Sequence, residues 1–152
     1  MTSQHLIITA AALFMTSLHV AAVEPDCKAV QTPNQQRDID TIKRIELGWL
    51  TSEFHGNVDF LDCLLTPGYA AISTKDNLIR SKADLLGNVA PNKGKTTQIP
   101  PLETTVVVNG DQATAYSVMK GHKKTGEPYE SRFVDSYVFK DGAWHAVGGV
   151  DL

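Results

Sequence analysis

The sequence has few cysteines and no long run of charge of one sign. It contains 2 cysteines and no Cys-x-x-Cys pair, which argues against a zinc site or a thioredoxin-type redox motif. The formal net charge is −3 and no Lys/Arg run interrupts the chain, so nucleic acid is not an expected partner. A Gly-rich phosphate loop and internal repeats are also absent. We therefore expect one domain with neither a metal nor a cofactor.

The apolar stretch near the N-terminus is too short to cross a membrane. It lies within residues 1–22 and is followed by Val20-Ala21-Ala22, a small-residue pattern that a signal peptidase could cut. We predict that residues 1–22 are a secretory signal peptide, which would make the protein periplasmic or secreted, with no stable membrane span after processing. The lack of Lys or Arg near Met1 leaves an uncleaved amphipathic or anchoring segment as the alternative.

Export would place both cysteines in an oxidising compartment, where such a pair tends to form a disulfide. A bond between Cys27 and Cys63 would tie residues 23–34 to the domain, which we assign to residues 35–152. Two independent buried thiols are the alternative.

Helical patterns come first and strand patterns follow. Residues 35–55 predict a long helix that ends near Gly56, residues 58–65 a short helix, and Ser81 the N-cap of a third helix. The predicted strands are "YAAIST", "LETTVVV", "QATAYSVMKGH", "YESRFVDSYVF" and "AWHAVGGV". Asn109-Gly110-Asp111 and Asp141-Gly142 are hairpin signals. This order predicts an α+β fold with helices on one face of a curved antiparallel sheet.

Five segments carry a resemblance to a known superfamily. They are "IELGW", "FLDCLLTPGYAAIS", "LIRSKADLL", "VVVNGDQATAY" and "RFVDSYVFKDGAWHAV". In this order they resemble the nuclear transport factor 2-like superfamily, and within it the SnoaL-like, ketosteroid-isomerase-like small domains. The resemblance implies a cone-shaped sheet wrapped around the long N-terminal helix, a pocket at its wide end, and often a dimer formed through the sheet. Such domains include isomerases, dehydratases and binding modules, so the fold leaves function open.

Alternation in the last hairpin predicts which side chains face the inside of the cone. With Phe139 opposite Trp144, the concave face carries Phe133, Asp135, Tyr137, Phe139, Trp144, Ala146, Gly148 and Val150. The convex face then carries Arg132, Val134, Ser136, Val138, His145, Val147 and Asp151. We expect Arg132 and Asp151 to pair across the strands, and the flat, mildly apolar convex face predicts a homodimer.

Two glutamates interrupt the apolar face of the long helix. At about 100° per residue, Glu46 and Glu53 fall in the same arc as the core residue Ile42, so they would face the cone together with Asp135. Desolvation and like charges raise the pKa of such carboxyls, which makes Glu46 and Asp135 the candidate catalytic residues. A structural role for Glu46, held by a Lys, an Arg or backbone donors, is the alternative. The candidate ligand-binding residues are Trp49, Glu53, Tyr69, Phe133, Tyr137 and Trp144.

Three functions fit this pattern. The first is an exported domain that binds an unknown small apolar or amphipathic molecule in the pocket. The second is a proton-transfer enzyme of isomerase or dehydratase type, with Glu46 or Asp135 as the base and Tyr137 as the hydrogen-bond donor to an oxyanion. The third is a dimeric partner-binding module without catalysis. Members of the resembled family often carry a His where this chain has Val150, which argues against chemistry that needs that His.

Overall fold

Among the residues that the structure describes, three helices and a six-stranded sheet form the domain. The computed structural model describes residues 27, 31, 35–123 and 125–152, so the predicted signal peptide, residues 1–22, lies outside the described residues. The helices are α1 (Ile39–His55), α2 (Val58–Leu64) and α3 (Lys82–Val89), followed by a 3-10 turn at Ala90–Asn92. The strands are β1 (Leu65–Ser73), β2 (Ile79–Ser81), β3 (Leu102–Asn109), β4 (Gln112–His122), β5 (Pro128–Lys140) and β6 (Ala143–Asp151). In the part of the chain described, no helix is long and apolar enough to span a membrane.

Side-chain caps fix the ends of the helices. The Asp38 carboxylate accepts a 2.7 Å hydrogen bond from the backbone N–H of Thr41, so α1 begins after Asp38 rather than at residue 35. Gly56 ends α1 with φ 73°, a left-handed conformation that favours glycine. The predicted cap of α3 is confirmed, because Ser81 and Asp84 form a reciprocal capping box.

The predicted α+β fold with a curved sheet is confirmed. The sheet order is β2-β1-β6-β5-β4-β3, and β3 to β6 form the expected antiparallel meander with Phe139 opposite Trp144. Strand β1 begins at Leu65, before the predicted start at Tyr69, and pairs in parallel with β6. The short edge strand β2, which the sequence pattern did not indicate, pairs with β1.

A bulge in β6 changes which side chains face the inside of the cone. Val147 is an extra residue between two registers of the β5–β6 ladder. The facing pairs around it are Tyr137–Ala146, Ser136–Gly148, Asp135–Gly149 and Phe133–Asp151. The predictions that Gly148 faces inward and Asp151 outward are therefore wrong, because a shift of one residue exchanges the two faces of a strand.

The predicted disulfide between Cys27 and Cys63 is confirmed. Cys63 lies on α2 and is buried, so the bond attaches residue 27 to the helical side of the domain. The Gln31 side-chain amide adds a 3.1 Å hydrogen bond to the carbonyl oxygen of Cys63. The alternative of two independent thiols is excluded.

Candidate functional site

A cavity of about 200 Å³ lies between α1 and the concave face of the sheet. Its larger apolar and aromatic lining residues are Trp49, Leu50, Tyr69, Leu85, Met119 and Phe133. Its charged lining residues are Glu46, Glu53, Arg80, Asp135 and Asp151. A wider groove of about 710 Å³ lies near Phe54 and residues 97–101. The smaller cavity is the candidate site, because apolar walls with a few converging polar groups are typical of ligand sites.

Two hydroxyl groups hold the side chain of Glu46, which is 2% exposed. Tyr137 Oη donates to Oε1 at 2.6 Å, and Ser117 Oγ donates to Oε2 at 2.9 Å. Burial raises the pKa of Glu46, and these two hydrogen bonds oppose that rise. In the described part of the chain, no ion pair includes Glu46. Hydrogen bonds, and not the Lys or Arg partner considered above, thus stabilise this carboxyl group.

Glu53 lies two helical turns further along α1. The indole N–H of Trp49 donates a 2.8 Å hydrogen bond to Oε1 of Glu53, as residues four apart on a helix can. Burial raises the pKa of Glu53 to about 7, against the effect of this hydrogen bond, and the charges of Asp151 and Glu46 add to the rise. Glu53 is therefore a carboxyl group that titrates near neutral pH.

Asp135 is a buried carboxyl group of the cavity with a raised pKa. It is 6% exposed, and burial, followed by the charges of Glu46, Glu53 and Asp151, raises its pKa well above the usual range. The Tyr69 hydroxyl partly opposes this rise in pKa. The facing residue on β6 is Gly149, where an added Cβ would overlap Oδ1 of Asp135. The glycine thus makes room for the carboxyl group.

Four carboxyl groups and one cation line the cavity. Arg80 lies 2.6 Å from a carboxylate oxygen of Asp76 and 3.9 Å from one of Asp151. The predicted Arg132–Asp151 pair is wrong: Arg132 pairs with Glu130 at 2.6 Å, and the bulge places Asp151 on the other face. Within the described residues, Glu46, Glu53 and Asp135 have no cationic partner. Full ionisation of the cluster is therefore costly.

The structure brings together most of the predicted site residues. Trp49, Glu53, Tyr69 and Phe133 line the cavity with both catalytic candidates. Tyr137 reaches the cluster only through its hydrogen bond to Glu46, because the ring itself is buried. Their roles in binding or catalysis stay predictions.

Trp144 does not line the cavity, so its place in the predicted ligand-binding set is corrected. Its side chain is completely buried, and its indole N–H donates a 2.8 Å hydrogen bond to the carbonyl oxygen of Gln36. Trp144 packs edge-to-face on Phe139, with ring centroids 5.2 Å apart. It therefore belongs to the core beside the start of α1.

The sequence pattern did not identify three residues near the carboxyl cluster, which are Arg80, Ser117 and Asp151. Arg80 lies on the short strand β2, and Asp151 was assigned to the wrong face. Ser117 could have been found, because alternation along β4 places it on the same face as the buried Ala115.

Comparisons with known proteins identify the fold. No family model and no curated protein matches the chain. An NTF2-like protein of unknown function from Silicibacter pomeroyi has 14% identity over 75% of this chain and 93% of its own, with a TM-score of 0.63. An NTF2-like protein from Cytophaga hutchinsonii has 17% identity over 77% of this chain and 97% of its own, with a TM-score of 0.62. The association domain of CaMKII from C. elegans has 13% identity over 74% of this chain and 92% of its own, with a TM-score of 0.54. The chain therefore has the nuclear transport factor 2-like fold.

Proposed function

We propose that this chain is an exported domain that binds a small apolar or amphipathic molecule in the 200 Å³ cavity. The observation that carries the proposal is Asp135, a buried carboxyl group that lines the cavity without a cationic partner among the described residues. Burying a carboxyl group without a compensating charge lowers stability. A domain that needed only a core would be more stable with an apolar side chain there, so a binding role accounts for it.

Two neighbouring alanines on β1 provide a matched test. Ala71 is buried and lines the cavity, whereas Ala70 is exposed on the opposite face of the same strand. Ala71→Leu should fill part of the cavity, and Ala70→Leu adds the same atoms outside it. Thermal shifts with a panel of small amphipathic compounds should be equal in the parent and Ala70→Leu proteins and lost in Ala71→Leu. Equal shifts in all three proteins would place the ligand elsewhere and contradict the proposal.

Export is supported by two features of the chain. Residues 1–22 have the pattern of a signal peptide, and the disulfide between Cys27 and Cys63 is typical of proteins from oxidising compartments. We infer a periplasmic or secreted location from these features together.

Proton transfer is the second candidate function, and the pairing of Asp135 with Tyr69 favours it. A carboxyl group with a raised pKa can act as a general base near neutral pH, and a phenol hydroxyl can donate to an oxyanion. Tyr69 suits the donor role better than Tyr137, because Tyr69 lines the cavity and Tyr137 does not. Deuterium uptake from D2O into a small enolisable ketone, followed by mass spectrometry, should be lost in Asp135→Asn and kept in Asp141→Asn. Uptake no faster than in buffer would exclude this function.

Self-association through the convex face of the sheet is the third candidate. Val134 and Val138 of β5 and Val147 of β6 lie on this face, and Val147 is 41% exposed. The similarity to a domain named for association is consistent with a homodimer. A monomer would leave this apolar surface in water.

A further inference from the structure

We infer that the ligand of the cavity is a small organic cation, a protonated amine carried on an apolar body. This inference rests on the proposed binding function and deepens it. The site is a cavity with aromatic walls, and its charged lining is anionic apart from Arg80.

Asp135 is the residue that an ammonium group would contact. It is 6% exposed and lines the cavity. The Tyr69 hydroxyl acts on this carboxyl group, and within the described residues no ion pair includes Asp135. A carboxylate accepts several hydrogen bonds, and an ammonium group supplies several donors together with the missing charge. Arg80 does not supply that charge, because its guanidinium group lies between Asp76 and Asp151.

The walls of the cavity suit the apolar part of such a ligand. Trp49 and Tyr69 pack edge-to-face with ring centroids 5.7 Å apart, and Phe133 lines the cavity on the sheet side. Aromatic faces attract cations as well as apolar groups. A volume of about 200 Å³ admits one small ring with a short arm.

The charge of the ligand determines how its affinity changes with pH. A cation stabilises the ionised carboxyl groups, so its affinity rises as they deprotonate. A neutral carbonyl or hydroxyl ligand accepts hydrogen bonds from the protonated carboxyl groups, so its affinity rises as the pH falls. The titratable and charged groups that face Asp135 and Glu53 are Glu46 on α1, Tyr69 on β1, Arg80 on β2, Tyr137 on β5 and Asp151 on β6.

The test compares benzylammonium with benzyl alcohol, a neutral probe of the same shape. Calorimetric titration of the disulfide-bonded chain should give an affinity for benzylammonium at least about tenfold above that for benzyl alcohol at about pH 8. This preference should shrink at about pH 6, where Glu53 is mostly protonated. Asp135→Asn should abolish the preference and Glu53→Gln should reduce it. Asp141→Asn, a change at a turn residue whose side chain is 84% exposed, should leave it intact.

The outcomes separate this inference from the proposed function. Equal affinities, or tighter binding of benzyl alcohol that strengthens at low pH, would overturn the cationic ligand and leave a ligand-binding cavity in place. If neither probe binds while other compounds still give shifts that Ala71→Leu removes, the cationic ligand is again overturned. If no compound gives such a shift, the inference and the proposed function both fail.

Discussion

The Tyr137 hydroxyl donates a 2.6 Å hydrogen bond to Oε1 of Glu46, and this contact joins the middle of α1 to strand β5. Both residues are 2% exposed. The second oxygen of Glu46 accepts from Ser117. Glu46 is therefore the carboxyl group of the cluster that two hydroxyl groups hold in place. Asp135 and Glu53 accept fewer hydrogen bonds.

Glu46→Gln should test whether a cationic partner stabilises this carboxyl group. The change keeps the shape of the side chain and removes the buried charge. We expect an unchanged or higher free energy of unfolding at about pH 8, because no cation would be left alone in the core. Denaturant midpoints measure this directly. A loss of about 3 kcal/mol or more would show that a buried cation had lost its partner.

A double-mutant cycle with Tyr137→Phe measures the contact itself. Tyr137→Phe in the parent protein should cost about 1 to 3 kcal/mol at about pH 8, since an acceptor that carries charge loses one of two donors. In the Glu46→Gln background the cost should be smaller, because the acceptor is then neutral. Equal costs in both backgrounds would mean that the hydrogen bond does not couple the two residues.

Stability should fall as the pH rises from about 5 to about 8. The folded protein raises the pKa of Glu53 from its ordinary 4.5 to about 7, so it holds a proton that the unfolded chain releases. The stability that the protonated Glu53 contributes is complete below the unfolded pKa and is lost as the pH rises through the folded pKa. About 2 to 3 kcal/mol of it should be lost between about pH 5 and about pH 8. The raised pKa values of Glu46 and Asp135 act in the same direction.

Glu53→Gln should flatten this pH dependence, and Asp141→Asn should leave it unchanged. Chemical unfolding at several pH values provides the measurement. A parent protein that becomes more stable from about pH 5 to about pH 8 would contradict the raised pKa values.

Gly149→Ala should be more damaging than Gly148→Ala. A Cβ at position 149 would overlap Oδ1 of Asp135 and lie 3.1 Å from the Tyr69 hydroxyl, whereas one at position 148 meets only the Ala70 carbonyl oxygen, at 3.2 Å. We expect a cost of about 1 to 3 kcal/mol for the first change and less than about 1 kcal/mol for the second. Thermal unfolding compares the two variants. Equal costs would mean that the space at Gly149 does not serve Asp135.

The disulfide should be present in a mature chain that begins near Val23. The intact mass of protein from the exported fraction should be two hydrogens below the value for the reduced chain. Replacing both cysteines by serine should cost about 3 to 4 kcal/mol, because the bond closes a loop with a sequence separation of 36. Full-length protein with two free thiols in that fraction would contradict export and the bond together.

The convex face should form a homodimer. Val138→Lys introduces a charge into this face and should weaken association without unfolding the domain. Leu47→Lys, at a position on α1 that is 50% exposed, is the control and should leave association unchanged. Sedimentation that finds the parent protein monomeric at high concentration would contradict the proposed dimer.

Local signals in the sequence predicted most elements of the fold. The caps at Ser81 and Gly56 and the turn at Asp141-Gly142 are short-range features, so the pattern places them correctly. The bulge at Val147 has no comparable signal, because it arises from how β6 pairs with β5 and β1 together. Asp151 was therefore assigned to the wrong face. The partners of Glu46 depend on contacts between distant residues, which side-chain alternation on one strand does not specify.

Native mass spectrometry of the exported protein tests the central claim, a ligand in the cavity, most directly. We predict a parent chain that carries a bound small molecule, the same adduct on Ala70→Leu, and a bare chain for Ala71→Leu, since only Ala71 lines the cavity. An adduct that persists unchanged in Ala71→Leu, or a bare parent chain that binds no small amphipathic compound on titration, would contradict the account.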